Sequence, residues 1–150
     1  MGNFILGFIV AWFIATGGCS RAEASEVILS TYSYHFFQRD TNNENWGLHY
    51  VANNGFTAGV YNNSTAEPGG WKSSFHAGYG FPIYRPTWLR APVTMTVGAV
   101  TGYSERNKLG YYFSFSYRQK LSQNWGAHYT LGALQVVNLG VGYRFGEDAK

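Results

Sequence analysis

A two-residue beat runs from Val27 to Phe145, and it constrains the fold more than any other feature of the chain. Trp71, Ser73, Phe75, Ala77, Tyr79 and Phe81 share one parity, while Lys72, Ser74, His76, Gly78 and Gly80 take the other. Tyr111, Phe113, Phe115 and Tyr117 alternate in the same way with Tyr112, Ser114, Ser116 and Arg118. Successive side chains of a strand point to opposite faces, so each segment builds a sheet with one apolar, aromatic-rich face and one small or polar face. A soluble sandwich alternates too. Here, however, aromatics make up 19% of the residues and charged side chains only 13%, which is what a barrel with its apolar side toward lipid requires.

A sorting segment precedes this pattern. Phe4–Thr16 is an apolar run too short to cross a bilayer as a helix. It is followed by Ala22-Glu23-Ala24, the small-x-small pattern of signal-peptidase sites, so residues 1–24 read as a signal peptide and the mature chain as starting at Ser25. No Lys or Arg precedes the run, and Gly17-Gly18-Cys19 offers a second reading as a lipoprotein site with a lipidated Cys19. Cleavage after Ala24 removes the only cysteine, and with it any disulfide or thiol chemistry. Residues 25–150 then form one domain, with a formal net charge for the whole chain of +3. The basic residues are scattered rather than clustered, which leaves nucleic-acid binding without support.

Eight segments fit the strand template: Val27–Phe37, Trp46–Asn53, Gly55–Asn62, Trp71–Phe81, Val93–Tyr103, Gly110–Leu121, Trp125–Leu134 and Gln135–Phe145. The expected architecture is all-β, an eight-stranded antiparallel up-and-down outer-membrane barrel, monomeric, closed so that no unpaired edge meets hydrocarbon. The last strand places Leu139, Val141, Tyr143 and Phe145 on one face. Its aromatic-x-Phe ending resembles the C-terminal signal read by the outer-membrane assembly machinery, although five residues follow Phe145. With a periplasmic N-terminus, Gln38–Asn45, Asn63–Gly70 and Ser104–Leu109 are outer loops. Asn53-Asn54 and Ser122–Asn124 are then inner turns, and Pro82–Pro92 is an unusually long inner connection.

On the first strand the inward parity reads Leu29, Thr31, Ser33 and His35, which puts His35 in the lumen near the outer rim. The third strand delivers Asn62-Asn63-Ser64 to the same rim. A histidine that can take a proton from a hydroxyl is the minimum for acyl transfer; the alternative is a hydrogen-bonded lumen residue beside an ordinary Asn-Ser turn. His49, His76 and His128 also take inward parities, with no metal-ligand spacing, so lumen packing is their default and no cofactor is implied.

Taken in order, several pieces resemble the lipid A palmitoyltransferases of the PagP family. They are Tyr34-His35-Phe36, Asn43-Glu44-Asn45-Trp46-Gly47, Gly59-Val60-Tyr61-Asn62-Asn63-Ser64, Ala77-Gly78-Tyr79-Gly80-Phe81, Tyr84-Arg85-Pro86 with Trp88, and Val97-Gly98-Ala99-Val100-Thr101. The likeness covers about residues 31–106. It implies an enzyme that moves a phospholipid acyl chain to lipid A without a cofactor, with His35 as general base and Ser64 as loop serine. Asn63 stands where that family carries aspartate, and an amide cannot stabilise an imidazolium as a carboxylate does. His128-Tyr129-Thr130 is similar to the His-x-Ser of the lipid A deacylases, with threonine for serine and no acidic residue in the following strand. The competing reading is a non-enzymatic surface barrel that binds a partner through its outer loops. The inward parity carries many small residues, which leave room for an acyl chain, and polar ones, which argue for hydrogen-bonded filling, so the composition is neutral to mildly unfavourable to an acyl-chain slot.

Overall fold

The computed structural model describes residues 25–36, 43–63, 70, 72–102, 109–132 and 136–146. The expected signal segment with Cys19, most of the three outer loops, and Ser64 lie outside the described residues. Eight strands follow one another: β1 (Ser25–His35), β2 (Gly47–Val51), β3 (Phe56–Asn62), β4 (Ser73–Tyr84), β5 (Val93–Thr101), β6 (Leu109–Lys120), β7 (Trp125–Gly132) and β8 (Val136–Phe145). Each pairs antiparallel with its chain neighbour, and β1 pairs with β8, so the sheet closes into a barrel. Closure gives every strand a paired neighbour on both sides, although β1 pairs with β2 only over Glu26–Ser30 and β6 with β7 only over Ser114–Lys120.

The expected alternation is present in the walls. Phe75 (60% exposed) and Tyr111 (65%) stand on the outer face, whereas Ser74 and Ser114 on the opposite parity are buried. Aliphatic side chains such as Leu48, Leu131, Leu139 and Val141 are exposed between them. Toward the end that carries Ser25 and Phe145, outward rings pair across strands. Tyr50 stacks on Phe145 at a centroid separation of 6.3 Å, and Trp125 meets Tyr143 edge-on at 5.0 Å. The molecule is inside-out relative to a soluble protein, apolar on its surface and polar within.

Two bulges modify the expected register. In β1, Ser30 faces Gly140 and Tyr32 faces Leu139, so Thr31 is an extra residue. Below it the parity is the reverse of the simple alternation: Leu29 is 47% exposed, while Glu26 and Ser30 are buried. Leu29 is therefore not a lumen residue, Thr31 is the bulged position without a partner in the β8 register, and Ser33 and His35, above the bulge, are on the expected side. In β4, Pro82 faces Thr94 and Tyr84 faces Val93, with Ile83 in excess. A bulge frees a ladder position, which lets the strand continue past Pro82, a residue with no N–H to donate. The long connection at this end is thereby shortened to Arg85–Pro92, next to the tight turn of Ala52–Gly55, in which Gly55 takes φ 93.

Candidate functional site

The lumen carries three tiers of polar side chains. At the end that carries Ser25 and Phe145, Glu26 of β1 sits 4% exposed among nitrogen donors from three other strands. Its Oε1 accepts from Arg118 Nε at 2.8 Å and from His128 Nε2 at 2.9 Å, and its Oε2 lies 3.4 Å from Arg144 Nε. Arg118 also donates to the Asn124 carbonyl at 3.2 Å. These residues converge because closure sets Glu26 opposite Arg144, and Arg118 opposite His128. Gly142 lies between the groups, and a methyl there would come within 2.6 Å of His128 Nε2.

At mid-height a hydrogen-bonded row crosses the barrel from β1 to β6. Ser30 Oγ meets His49 Nε2 at 2.9 Å, His49 Nδ1 meets His76 Nε2 at 2.7 Å, and His76 Nδ1 meets Tyr112 Oη at 3.0 Å. The Ser30 hydroxyl donates weakly to the carbonyls of Asn45 and Gly47, both at 3.4 Å. Proton bookkeeping along the row leaves two assignments with both imidazoles neutral: Tyr112 donates to His76, His76 to His49 and His49 to Ser30, or every bond runs the other way, with the Ser30 proton given to His49 instead of to the carbonyls. The two histidines are on strands separated by β3, where Gly59 pairs with both. With no side chain at Gly59, the rings meet across it; a Cβ there would lie 2.6 Å from His76 Nε2. Tyr61 lies against both rings, at 6.2 Å from His49 and 6.0 Å from His76.

The upper tier holds the rim residues. His35 Nε2 reaches Ser33 Oγ at 3.3 Å, and Ser33 donates to Asn45 Oδ1 at 2.5 Å. Because the Ser33 proton goes to Asn45, His35 acts here as a donor and not as a base toward that hydroxyl. Asn63 is fully buried; its side-chain Nδ2 donates to Ser74 Oγ at 2.7 Å and its backbone N–H to the Lys72 carbonyl at 2.8 Å. His35 and Asn63 thus share the rim but are held by different partners. Ser64 lies outside the described residues.

The chain matches no family model, no curated protein and no solved structure. The arrangement must therefore be read on its own chemistry. Sequence reasoning missed the acidic partner of His128: it is Glu26, supplied by β1 through barrel closure and not by the strand after β7. The same carboxylate serves Arg118, which makes the group an ion cluster and not an orienting acid for His128 alone. Ser30 and Tyr112 were also missed as members of the histidine row; Tyr112's inward parity was readable, and Ser30's was hidden by the bulge. A groove of about 230 Å³ lies on the outer face between Phe115, Tyr117, Tyr129, Leu131 and Val137, and it is almost wholly apolar.

Proposed function

We propose that this chain is an integral outer-membrane barrel whose lumen is a polar plug, and that it works at the cell surface through its outer rim and loops without catalysing a reaction. The observation that carries this reading is the wall-to-wall bridging of the lumen. Ser30, His49, His76 and Tyr112 satisfy one another across the width of the barrel, and Glu26 ties β1, β6, β7 and β8 together below them. An acyl chain needs an apolar slot, whereas these tiers fill the interior with hydrogen-bonded groups that would be left unsatisfied if displaced. The outer face supports the membrane part of the reading. An eight-stranded closed barrel with an exposed apolar band and ring pairs near one end has the features of a lipid-embedded barrel.

Acyl transfer from a phospholipid to lipid A is the second reading, and one observation favours it. When the row runs from Ser30 to Tyr112, with the Ser30 hydroxyl donating to His49 Nε2 and His49 Nδ1–H to His76, it forms a hydroxyl–imidazole–imidazole series, the order in which a nucleophile, its base and an orienting group are arranged. Mass spectrometry of lipid A from a Gram-negative host lacking its own palmitoyltransferase separates the two. Expression of the folded protein should leave lipid A unchanged. A gained acyl chain that disappears with His35→Ala or Ser30→Ala would overturn the non-enzymatic reading, and a lost acyl chain would point to His128 and a deacylase.

A further inference from the structure

We propose that the Arg85–Pro92 connection is a binding site for anionic phospholipid headgroups, clamping the barrel at the leaflet on the side of Ser25 and Phe145. The proposal rests on the membrane reading above. The other two described connections at this end, Ala52–Gly55 and Leu121–Asn124, are tight turns. This connection is twice as long and is nonetheless held in shape. Leu89 N–H donates to the Pro86 carbonyl at 3.0 Å, Arg85 Nη2 donates to the Arg90 carbonyl at 3.3 Å, and Pro86 is buried.

What the fixed turn presents is a cationic, aromatic surface. Trp88 is 80% exposed, more than any other large apolar side chain described, and Tyr84 beside it is 64% exposed. The Ile83 bulge leaves Ile83 and Tyr84 both exposed, continuing the apolar outer face directly into the turn. Arg85 and Arg90 are exposed on either side of Trp88, and Lys120 is exposed at the same end of the barrel. Among the described residues the acidic groups are Glu26, consumed within the lumen, and Glu44, at the opposite end. The cations outside the lumen at this end therefore face no described acid. Tryptophan settles at the boundary between hydrocarbon and headgroups, and an arginine fork suits a phosphate. An apolar belt running into Trp88 with arginines beyond it matches the order of acyl chain, glycerol and phosphate in a lipid leaflet.

The test is tryptophan quenching in nanodiscs. Discs are made with phosphatidylcholine alone or with a quarter phosphatidylglycerol, and either lipid carries bromine near the headgroup end of its chains. The Trp88 signal is the difference between the wild type and Trp88→Phe; Trp46, which leads into β2, and Trp125, at the start of β7, are isolated in the same way. Trp88 should be quenched, and more strongly by brominated phosphatidylglycerol than by brominated phosphatidylcholine. A cation near an anionic surface contributes about a fivefold preference, so Arg85→Gln and Arg90→Gln should each lower the phosphatidylglycerol preference by about that factor. Quenching of Trp46 and Trp125 should not change. If those two are quenched while Trp88 stays water-exposed, or quenches equally with both lipids, the headgroup site is refuted and the membrane reading stands. If none of the three is quenched, the membrane reading falls and the site with it.

Discussion

Replacing Glu26 by glutamine removes the charge that holds the lower lumen together while keeping the size and a carbonyl acceptor. Arg118 Nε, His128 Nε2 and Arg144 Nε converge on this carboxylate at 2.8, 2.9 and 3.4 Å. Breaking a buried ion pair by removing one partner costs about 3–5 kcal/mol, because the other charge stays buried and uncompensated. Two features place Glu26→Gln near the lower bound. Arg144 is 29% exposed and its contact is long, so water takes over much of its share. Arg118, at 11% exposure, keeps its bond to the Asn124 carbonyl. We therefore expect a loss of about 3 kcal/mol. The double change Glu26→Gln/Arg118→Gln replaces the charged pair by two amides and should recover at least about 1.5 kcal/mol of that. The assay is reversible urea unfolding in lipid vesicles at neutral pH, followed by tryptophan fluorescence and by the gel-mobility shift of the folded form. A Glu26→Gln protein within about 0.5 kcal/mol of the wild type, or a double variant no more stable than the single, would refute the reasoning.

Gly59→Ala should destabilise the barrel by about 3 kcal/mol, the upper part of the overpacking range, because the added methyl would sit 2.6 Å from both His76 Nε2 and the Leu48 carbonyl. Gly110→Ala, whose methyl would meet nothing closer than 3.6 Å, is the matched control and should change stability by less than about 0.5 kcal/mol in the same unfolding assay. Deleting Thr31 removes the bulge and restores plain alternation with Ser30, Ser33 and His35 still facing inward. The deletion variant should refold to the native gel mobility; failure to refold would show that the bulge itself is required.

Much of the fold was legible because period two is a strong signal when one face carries Phe, Tyr and Trp and the other Gly and Ser. β6 from Phe113 to Tyr117 and β8 from Asn138 to Gly142 have this contrast of apolar against small polar residues, and their parity is as read. β1 lacks it between Ser30 and Ser33, where Ser-Thr-Tyr-Ser offers small polar residues on both parities. Nothing local marks Thr31 as the bulged residue; the shift is visible only against β8. The polar clusters were illegible for a related reason. Glu26 and His128 are 102 positions apart and Glu26 and Arg118 are 92 apart, so their meeting depends on closure and register together. The His49–His76 contact had a faint signature. Once β2, β3 and β4 are registered, a glycine flanked by two inward histidines predicts that the rings meet, but that registration is not written in any one segment. The rim assignment of His35 followed from topology alone, whereas its bond to Ser33, and the Asn45 carbonyl behind it, required the folded rim.

The central claim is a barrel with lipid outside and polar side chains within, and β6 tests it most directly. In a Cys19→Ser background the chain has no other cysteine, so single cysteines from position 111 to position 118 can each carry a nitroxide in lipid vesicles. Accessibility to apolar oxygen should alternate strictly, high at 111, 113, 115 and 117 and low at 112, 114, 116 and 118. Collision with a water-soluble nickel complex should be weak at the first set. The opposite alternation, or strong collision with the nickel complex at both parities, would contradict a lipid-embedded barrel with a plugged polar lumen.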